Sequence, residues 1–369
     1  MKSPTWTSLT TSQKAAIITA GTVQAGLFAA AWTDLNGRSE TRLNGSKAVW
    51  RAALFLNFVG PLAYFAAGRQ KSDWSEADIP DQSGKVAIVT GANSGLGYET
   101  ARALALHGAT VIMACRNLDK ATQAAEQIRA LNPAGQVEVM HLNLADLASV
   151  RSFADEFKAR YPHLDLLINN AGIMVPPQGT TQQGFEMQFG VNHLAHFALT
   201  GLLIGLLNKT PGARIVSVSS TAHRFGHIDF ADLNWKDRAY NAWQAYGQSK
   251  LANLLFIDEL QRKLDAAGQT TLAVAAHPGY AATGLQGEGG GMQLANRLFA
   301  QSQAMGALPT LYAATAPQVR GGQYFGPSGL AELSGAPEQV ESNARSHNKN
   351  DAQRLWQVSE ELSGVQFHL

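Results

Sequence analysis

From residue 84 onward the chain alternates short apolar runs with longer amphipathic segments, and this alternation constrains the fold more than any other feature. The apolar runs cover residues 86–89, 110–113, 137–141, 164–168, 215–219 and 272–276. Helix-period patterns fill the intervals at 98–107, 120–131, 147–160, 185–207 and 246–264. The arrangement predicts an α/β fold, a doubly wound parallel sheet of the Rossmann type with helices on both faces. Such a sheet binds its ligand beyond the carboxyl ends of the strands, where the strand order reverses. Motifs that directly follow a predicted strand therefore carry the functional reading.

The first such motif is TGANSGLG, residues 90–97, between a strand and a helix. Gly91, Gly95 and Gly97 permit a tight turn that brings backbone N–H groups and a helix N-terminus against a pyrophosphate. Gly91, Asn93, Ser94, Gly95, Leu96 and Gly97 are its candidate cofactor-binding residues, at G-x-x-x-G-x-G spacing. After the second run the chain reads ACRN. There Arg116 would pair with a 2′-phosphate that an acid would repel, with Lys120 assisting, so NADP is expected in preference to NAD.

Tyr246 and Lys250 stand at i and i+4 and share one helix face. A free tyrosine has a pKa of about 10. A lysine ammonium one turn away and a positive nicotinamide ring favour the phenolate and suit the pair to acid/base work. Ser220, in IVSVSS at a strand end, is placed to hold the substrate oxygen; Ser219 competes for that role.

Taken in chain order, TGANSGLG, Asn169-Asn170-Ala171-Gly172, Asn192, Ser220, Tyr246-x-x-x-Lys250 and His277-Pro278-Gly279 resemble the short-chain dehydrogenase/reductase family, over residues 79–369. VNHLAHF, VSSTAH, the insert HRFGHIDFADLN, AYGQSKLANLLF and HPGYAATGL look most like its retinol dehydrogenase and protochlorophyllide reductase-like branch. The resemblance implies that Tyr246 is the general acid/base, that Ser220 orients the carbonyl or alcohol, and that Lys250 binds the nicotinamide ribose. It implies that Asn192 holds a water in a proton relay, and that Asn170, Ala171, Gly172, Pro278, Gly279 and Thr283 contact the cofactor. Asn143 stands where the family commonly carries Asp beside the adenine. Tyr280 replaces the usual small aliphatic residue. Pairing as a homodimer, through the helices carrying Asn192 and Tyr246, is implied as well.

Before this region, residues 1–70 are expected to form a two-span membrane hairpin. One apolar stretch covers 15–33 and a second 52–67, with Trp32, Trp50 and Tyr64 near their ends. Residues 71–83 read as a polar linker and 84–369 as the catalytic domain. Two spans place the N-terminus and the catalytic domain together on the cytoplasmic side.

Charge supplies the exclusions. Lys and Arg total 29 against 28 Asp and Glu, a net charge of +1 that gives no reason to expect nucleic-acid binding. The chain has one cysteine, which excludes an intramolecular disulfide. His193, His196, His223 and His227 lack carboxylate or cysteine companions in the sequence, so no metal is expected. Phe225, Tyr240, Trp243, Tyr280, Leu285 and Met292 fall near the expected cleft, which with a membrane anchor suits a lipophilic substrate. The expectation is a membrane-anchored, NADP-dependent enzyme acting on a retinoid-, steroid- or lipid-like alcohol or carbonyl. The alternatives are a C=C reductase of the protochlorophyllide reductase type and a non-catalytic NADP-binding sensor or scaffold.

Overall fold

The structure is a computed structural model and describes residues 6–38, 40, 43–69, 73–280 and 301–369. The chain divides into two compact units, 1–72 and 73–369.

In the first unit α1 (Thr11–Gly37) begins at a reciprocal cap: the Gln13 amide donates to Thr10 Oγ1 and the Thr10 amide to Gln13 Oε1. The second apolar stretch is not one continuous helix. It forms α2 (Lys47–Ala53), a turn, α3 (Val59–Ala63) and a π turn (Tyr64–Gly68). Two local features break it. Asn57 adopts φ +31°, and the Gly60-Pro61 pair follows. Leu43 and Arg69 bridge antiparallel, so the segment starts and ends at one place.

The second unit is an eight-stranded sheet of order β3-β2-β1-β4-β5-β6-β7-β8. The strands are β1 (Val86–Thr90), β2 (Thr110–Cys115), β3 (Gln136–His141), β4 (Leu166–Asn169), β5 (Arg214–Val218), β6 (Leu272–Ala276), β7 (Tyr324–Pro327) and β8 (Pro337–Gln339). All pairings are parallel except β7 with β8. The helices are α4 (Gly95–Leu106), α5 (Leu118–Arg129), α6 (Leu147–Arg160), α7 (Met187–Leu207), α8 (Ala242–Ala266), α9 (Gln303–Thr315) and α10 (Lys349–Ser363). The doubly wound expectation holds; β7 and β8 extend it.

Alternate strand residues feed two separate cores. Ile88, Ile112, Leu167 and Ile215 join Phe153, Phe157, Phe197 and Leu254 on one face. Ala87, Val89, Met113, Ile168 and Val216 join Leu104, Ile128 and Leu311 on the other. The expected linker is partly built into this unit: Trp74 packs edge-on against Tyr312 at 5.2 Å, and Arg102 pairs with Glu76. β1 lies between β2 and β4, so the strand order reverses there and a cleft opens at the strands' carboxyl ends.

Candidate active site

Four loops wall this cleft, and each leaves the end of a strand. The loop after β1 enters α4 with Gly91 at φ +66°, a left-handed conformation that favours glycine. A Cβ on Gly97 would strike the Gly91 carbonyl and crowd Asn170 Nδ2, so the helix start approaches the strand ends as closely as backbone allows. Thr90 ties this loop to its neighbour: its hydroxyl accepts from the Asn170 and Ala171 amides, both at 2.9 Å, and its carbonyl from Asn170 Nδ2 at 2.8 Å. The closely packed backbone and the amide-bearing α4 N-terminus fit a dinucleotide pyrophosphate. Asn93, Ser94 and Leu96 lie on the same turn.

Arg116 directly follows β2 and is exposed, as is Lys120 in the first turn of α5. Asn143 follows β3 one residue on, but its Oδ1 accepts from the Ala145 amide at 3.1 Å, and that oxygen caps its own turn.

Past β4, Asn192 fixes the loop. It lies in a π turn (Gly190–Leu194) of α7, and such turns are frequent at functional sites. Its Oδ1 accepts from the Ile173 amide at 2.8 Å. Its Nδ2 donates to the Ile173 carbonyl at 3.0 Å and to Ser249 Oγ at 2.9 Å. The side chain is thereby committed to protein partners. A Cβ on Gly172 would stand 3.3 Å from Asn192 Oδ1 and 3.4 Å from Lys250 Nζ, which puts both polar groups beside one glycine.

The two serines after β5 separate by partner. Ser219 Oγ donates to the Lys250 carbonyl at 2.8 Å and fastens α8 to the sheet. Ser220 contacts the Tyr246 hydroxyl and accepts from the Ala222 amide at 3.2 Å. Tyr246 and Lys250 are both buried on α8. Burial pushes the Tyr246 phenol up to about 12, against the Ser220 contact that lowers it. Burial alone brings the Lys250 ammonium down to about 8. Lys250 Nζ stands 5.8 Å from the Tyr246 ring centre.

The cleft encloses about 960 Å³, open to solvent, and Ser220, Tyr246, Lys250, Pro278, Gly279 and Tyr280 are among its walls. Ile173, Met174, Phe225 and Trp243 add an apolar lining, with Phe225 and Trp243 about half exposed at the mouth. Tyr240 is not part of it; its hydroxyl donates to Glu186 Oε1 at 3.0 Å and supports the turn before α7. Thr283, Leu285 and Met292 lie outside the described residues. Three of the histidines are spent internally. His193 bonds Ser359, His196 bonds Thr90 and the Asn192 carbonyl, and His223 bonds the Ser220 carbonyl.

One group at this site escaped the sequence reading. Glu332, at φ +58°, pairs with His277 at 3.1 Å and with Arg224 at 2.7 Å. Burial raises its carboxyl pKa, but His277 and Arg224 more than offset that and hold it below the usual carboxylate value. Arg224 belongs to the turn after Ser220, and His277 precedes Pro278-Gly279, so one carboxylate fastens two walls of the cleft. Tyr280 reinforces this, its amide donating to the Leu333 carbonyl at 2.8 Å. Only the His277-Pro278-Gly279 motif hinted at the place.

Comparison with known proteins gives the same direction. Human retinol dehydrogenase 13 is 43% identical over 303 residues, covering 79% of this chain and 87% of that protein. Mouse retinol dehydrogenase 12 is 44% identical over 289 residues, covering 77% and 88%. Among solved structures, an uncharacterised protein from Mycobacterium paratuberculosis is 46% identical at a TM-score of 0.70, covering 81% of this chain and all of that one. The family model of the short chain dehydrogenases matches residues 85–292. The chain belongs to the short-chain dehydrogenase family, in its retinol dehydrogenase-like branch, and is an oxidoreductase acting on CH–OH groups with a nicotinamide cofactor.

Proposed function

We propose that this protein is a membrane-associated, NADP-dependent oxidoreductase that interconverts a retinoid-type or similarly lipophilic alcohol and its carbonyl. The observation that carries the reading is the meeting of Ser220, Tyr246 and Lys250 at the inner end of a cleft whose mouth is apolar. The names of the relatives, retinol dehydrogenases 12 and 13, support the substrate class.

The nicotinamide, when bound, supplies or accepts the hydride. The chain's own residues do the rest. Ser220 holds the substrate oxygen, and Tyr246 gives that oxygen a proton during carbonyl reduction or removes it during alcohol oxidation. Lys250 keeps a cation beside the phenol and lowers the energy of its phenolate. Asn192 acts as a positioning residue, holding the Ile173 loop and Ser249 of α8 beside Lys250. Gly91, Asn93, Ser94, Gly95, Leu96 and Gly97 would hold the pyrophosphate. Asn170, Ala171, Gly172, Pro278 and Gly279 would seat the nicotinamide half, and Arg116 with Lys120 would take the 2′-phosphate. Phe225, Trp243 and Tyr280 line the cleft and favour an apolar substrate. The helix of α1 anchors the protein to a membrane, with the catalytic unit facing the cytoplasm.

The reading is tested by offering all-trans-retinal with NADPH or NADH to the full chain and following retinol by chromatography. Retinol formed faster with NADPH supports it; no product from a panel of lipophilic carbonyls and alcohols contradicts it.

A further inference from the structure

The N-terminal unit holds an architecture that the chemistry does not call for. α1 is 27 residues long, about 40 Å at 1.5 Å per residue, more than the roughly 30 Å of a bilayer core. Its apolar side chains point outward, with Ile17, Ile18 and Val23 each at least half exposed. A network of paired polar groups gathers toward its C-terminal end. There Asp34 accepts from Arg38 Nε at 2.7 Å and from the Tyr64 hydroxyl at 2.6 Å, and Arg69 stands 3.5 Å from the same carboxylate. Lys47 donates to the Asn36 and Arg38 carbonyls, and Arg51 donates to Asn36 Oδ1.

That polar belt marks one level, and the following segment leaves and returns to it. Leu43 bridges Arg69, and the Asn44 amide donates to the Gly68 carbonyl at 2.9 Å. Between those ends α2 runs away from the belt, and α3 with its π turn runs back. A Cβ on Gly60 would strike the Ala53 carbonyl, so the two arms pack backbone against backbone. Phe55, Leu56, Val59 and Leu62 around the tip are 69%, 64%, 70% and 54% exposed. Four backbone amides on either side of the apex are met inside the hairpin: Leu54 bonds Trp50, Phe55 bonds Ala52, Leu56 bonds Ala53 and Gly60 bonds Leu56. Each such bond removes a free N–H from the turn, which counts in hydrocarbon because no water is there to receive one.

α1 measures the depth. Arg51 meets α1 at Asn36, whereas Phe55 meets it at Phe28, with ring centres 5.2 Å apart. Eight residues of helix separate those levels, about 12 Å, close to half the thickness of a bilayer core. A segment with both ends at one level and an apolar tip about half a core away cannot cross.

We propose that residues 43–69 form a re-entrant helical hairpin embedded in one leaflet beside a single spanning helix, its exposed face covered by lipid hydrocarbon. Resting on the membrane reading above, this reverses the two-span expectation. The N-terminus lies on one side of the membrane, and the chain beyond Arg69 leaves on the other, where α1 ends.

Cysteine accessibility in the full chain tests this, because Cys115 is buried and is the chain's single cysteine. Ser8→Cys, Glu40→Cys, Leu56→Cys and Asp73→Cys are prepared separately in sealed, uniformly oriented membrane vesicles and treated with a membrane-impermeant maleimide. Glu40→Cys and Asp73→Cys are expected to react from the same face. Ser8→Cys should react at least tenfold more slowly there until detergent opens the vesicles. Leu56→Cys should stay unreactive, and a bimane attached to it should be quenched by nitroxides on lipid chains. Glu40→Cys and Asp73→Cys on opposite faces would establish two spans and overturn the hairpin. Full aqueous reactivity at Leu56→Cys would also overturn it. So would protection of Leu56→Cys in a lipid-free oligomer, which would give the surface to a second copy. Alkaline carbonate extraction keeps the two readings apart. Release of the protein defeats the membrane reading itself, whereas a retained protein with wrongly facing cysteines defeats the hairpin alone.

Discussion

Lys250 Nζ donates to the Val218 carbonyl at 3.0 Å, so the ammonium beside the catalytic-site phenol is held by the end of β5. Burial lowers its folded pKa to about 8 from an ordinary 10.5. Between those values the unfolded chain binds more protons, so this group makes stability rise as pH rises through the window. Below about pH 8 both states are protonated and the full penalty is present, about 3 kcal/mol at 1.36 kcal/mol per pKa unit. Tyr246, raised to about 12 from 10.0, acts in the opposite sense above pH 10. Lys250→Met is therefore expected to raise the melting temperature of the cofactor-free protein at pH 7 and to lose that advantage near pH 10. Calorimetry at the two pH values checks it; the same shift at both would refute the assignment.

Tyr246→Phe keeps the ring and removes the proton. Turnover is expected to fall by about 10²–10⁴-fold, the usual contribution of a positioned acid or base. Cofactor binding, followed by nicotinamide fluorescence, should change less than threefold. Retained turnover would assign the proton to another group, and turnover lost together with binding would make Tyr246 a structural residue.

Arg116 is exposed directly after β2, and its role is tested through charge. Arg116→Asp is expected to weaken NADPH binding at least tenfold and to leave NADH binding unchanged or improved. Side-by-side titration decides it, and equal weakening of both cofactors would point away from the 2′-phosphate.

The contacts of Glu332 with Arg224 and His277 join the Ser220 wall to the Pro278-Gly279 wall. Glu332→Gln should lower kcat about tenfold while changing KM for the cofactor little, because both walls remain but their register loosens. Arg224→Met should do the same, and the double variant should be no worse than either single one. Additive losses would mean that the two side chains act separately.

Much of this site was legible because its residues lie within strand ends and one helix face. TGANSGLG follows β1, Tyr246 and Lys250 share α8, and short apolar runs alternating with helix-period segments gave the parallel sheet. What stayed hidden depends on contacts distant in sequence. Glu332 lies 55 residues from His277 and 108 from Arg224, on a loop with no pattern of its own. β7 and β8 are four and three residues long, YFGP and PEQ, and neither forms an apolar run. The second apolar stretch had the composition of a span, but composition does not reveal that Gly60 packs on Ala53 and turns the chain back.

The central claim is most directly tested by reducing all-trans-retinal with NADPH deuterated at C4, using the full chain in lipid vesicles beside its Tyr246→Phe variant. The account predicts deuterium on the carbinol carbon of the retinol formed by the natural chain and almost no product from the variant. Absence of deuterated alcohol from the natural chain, or equal yields from both, would contradict it.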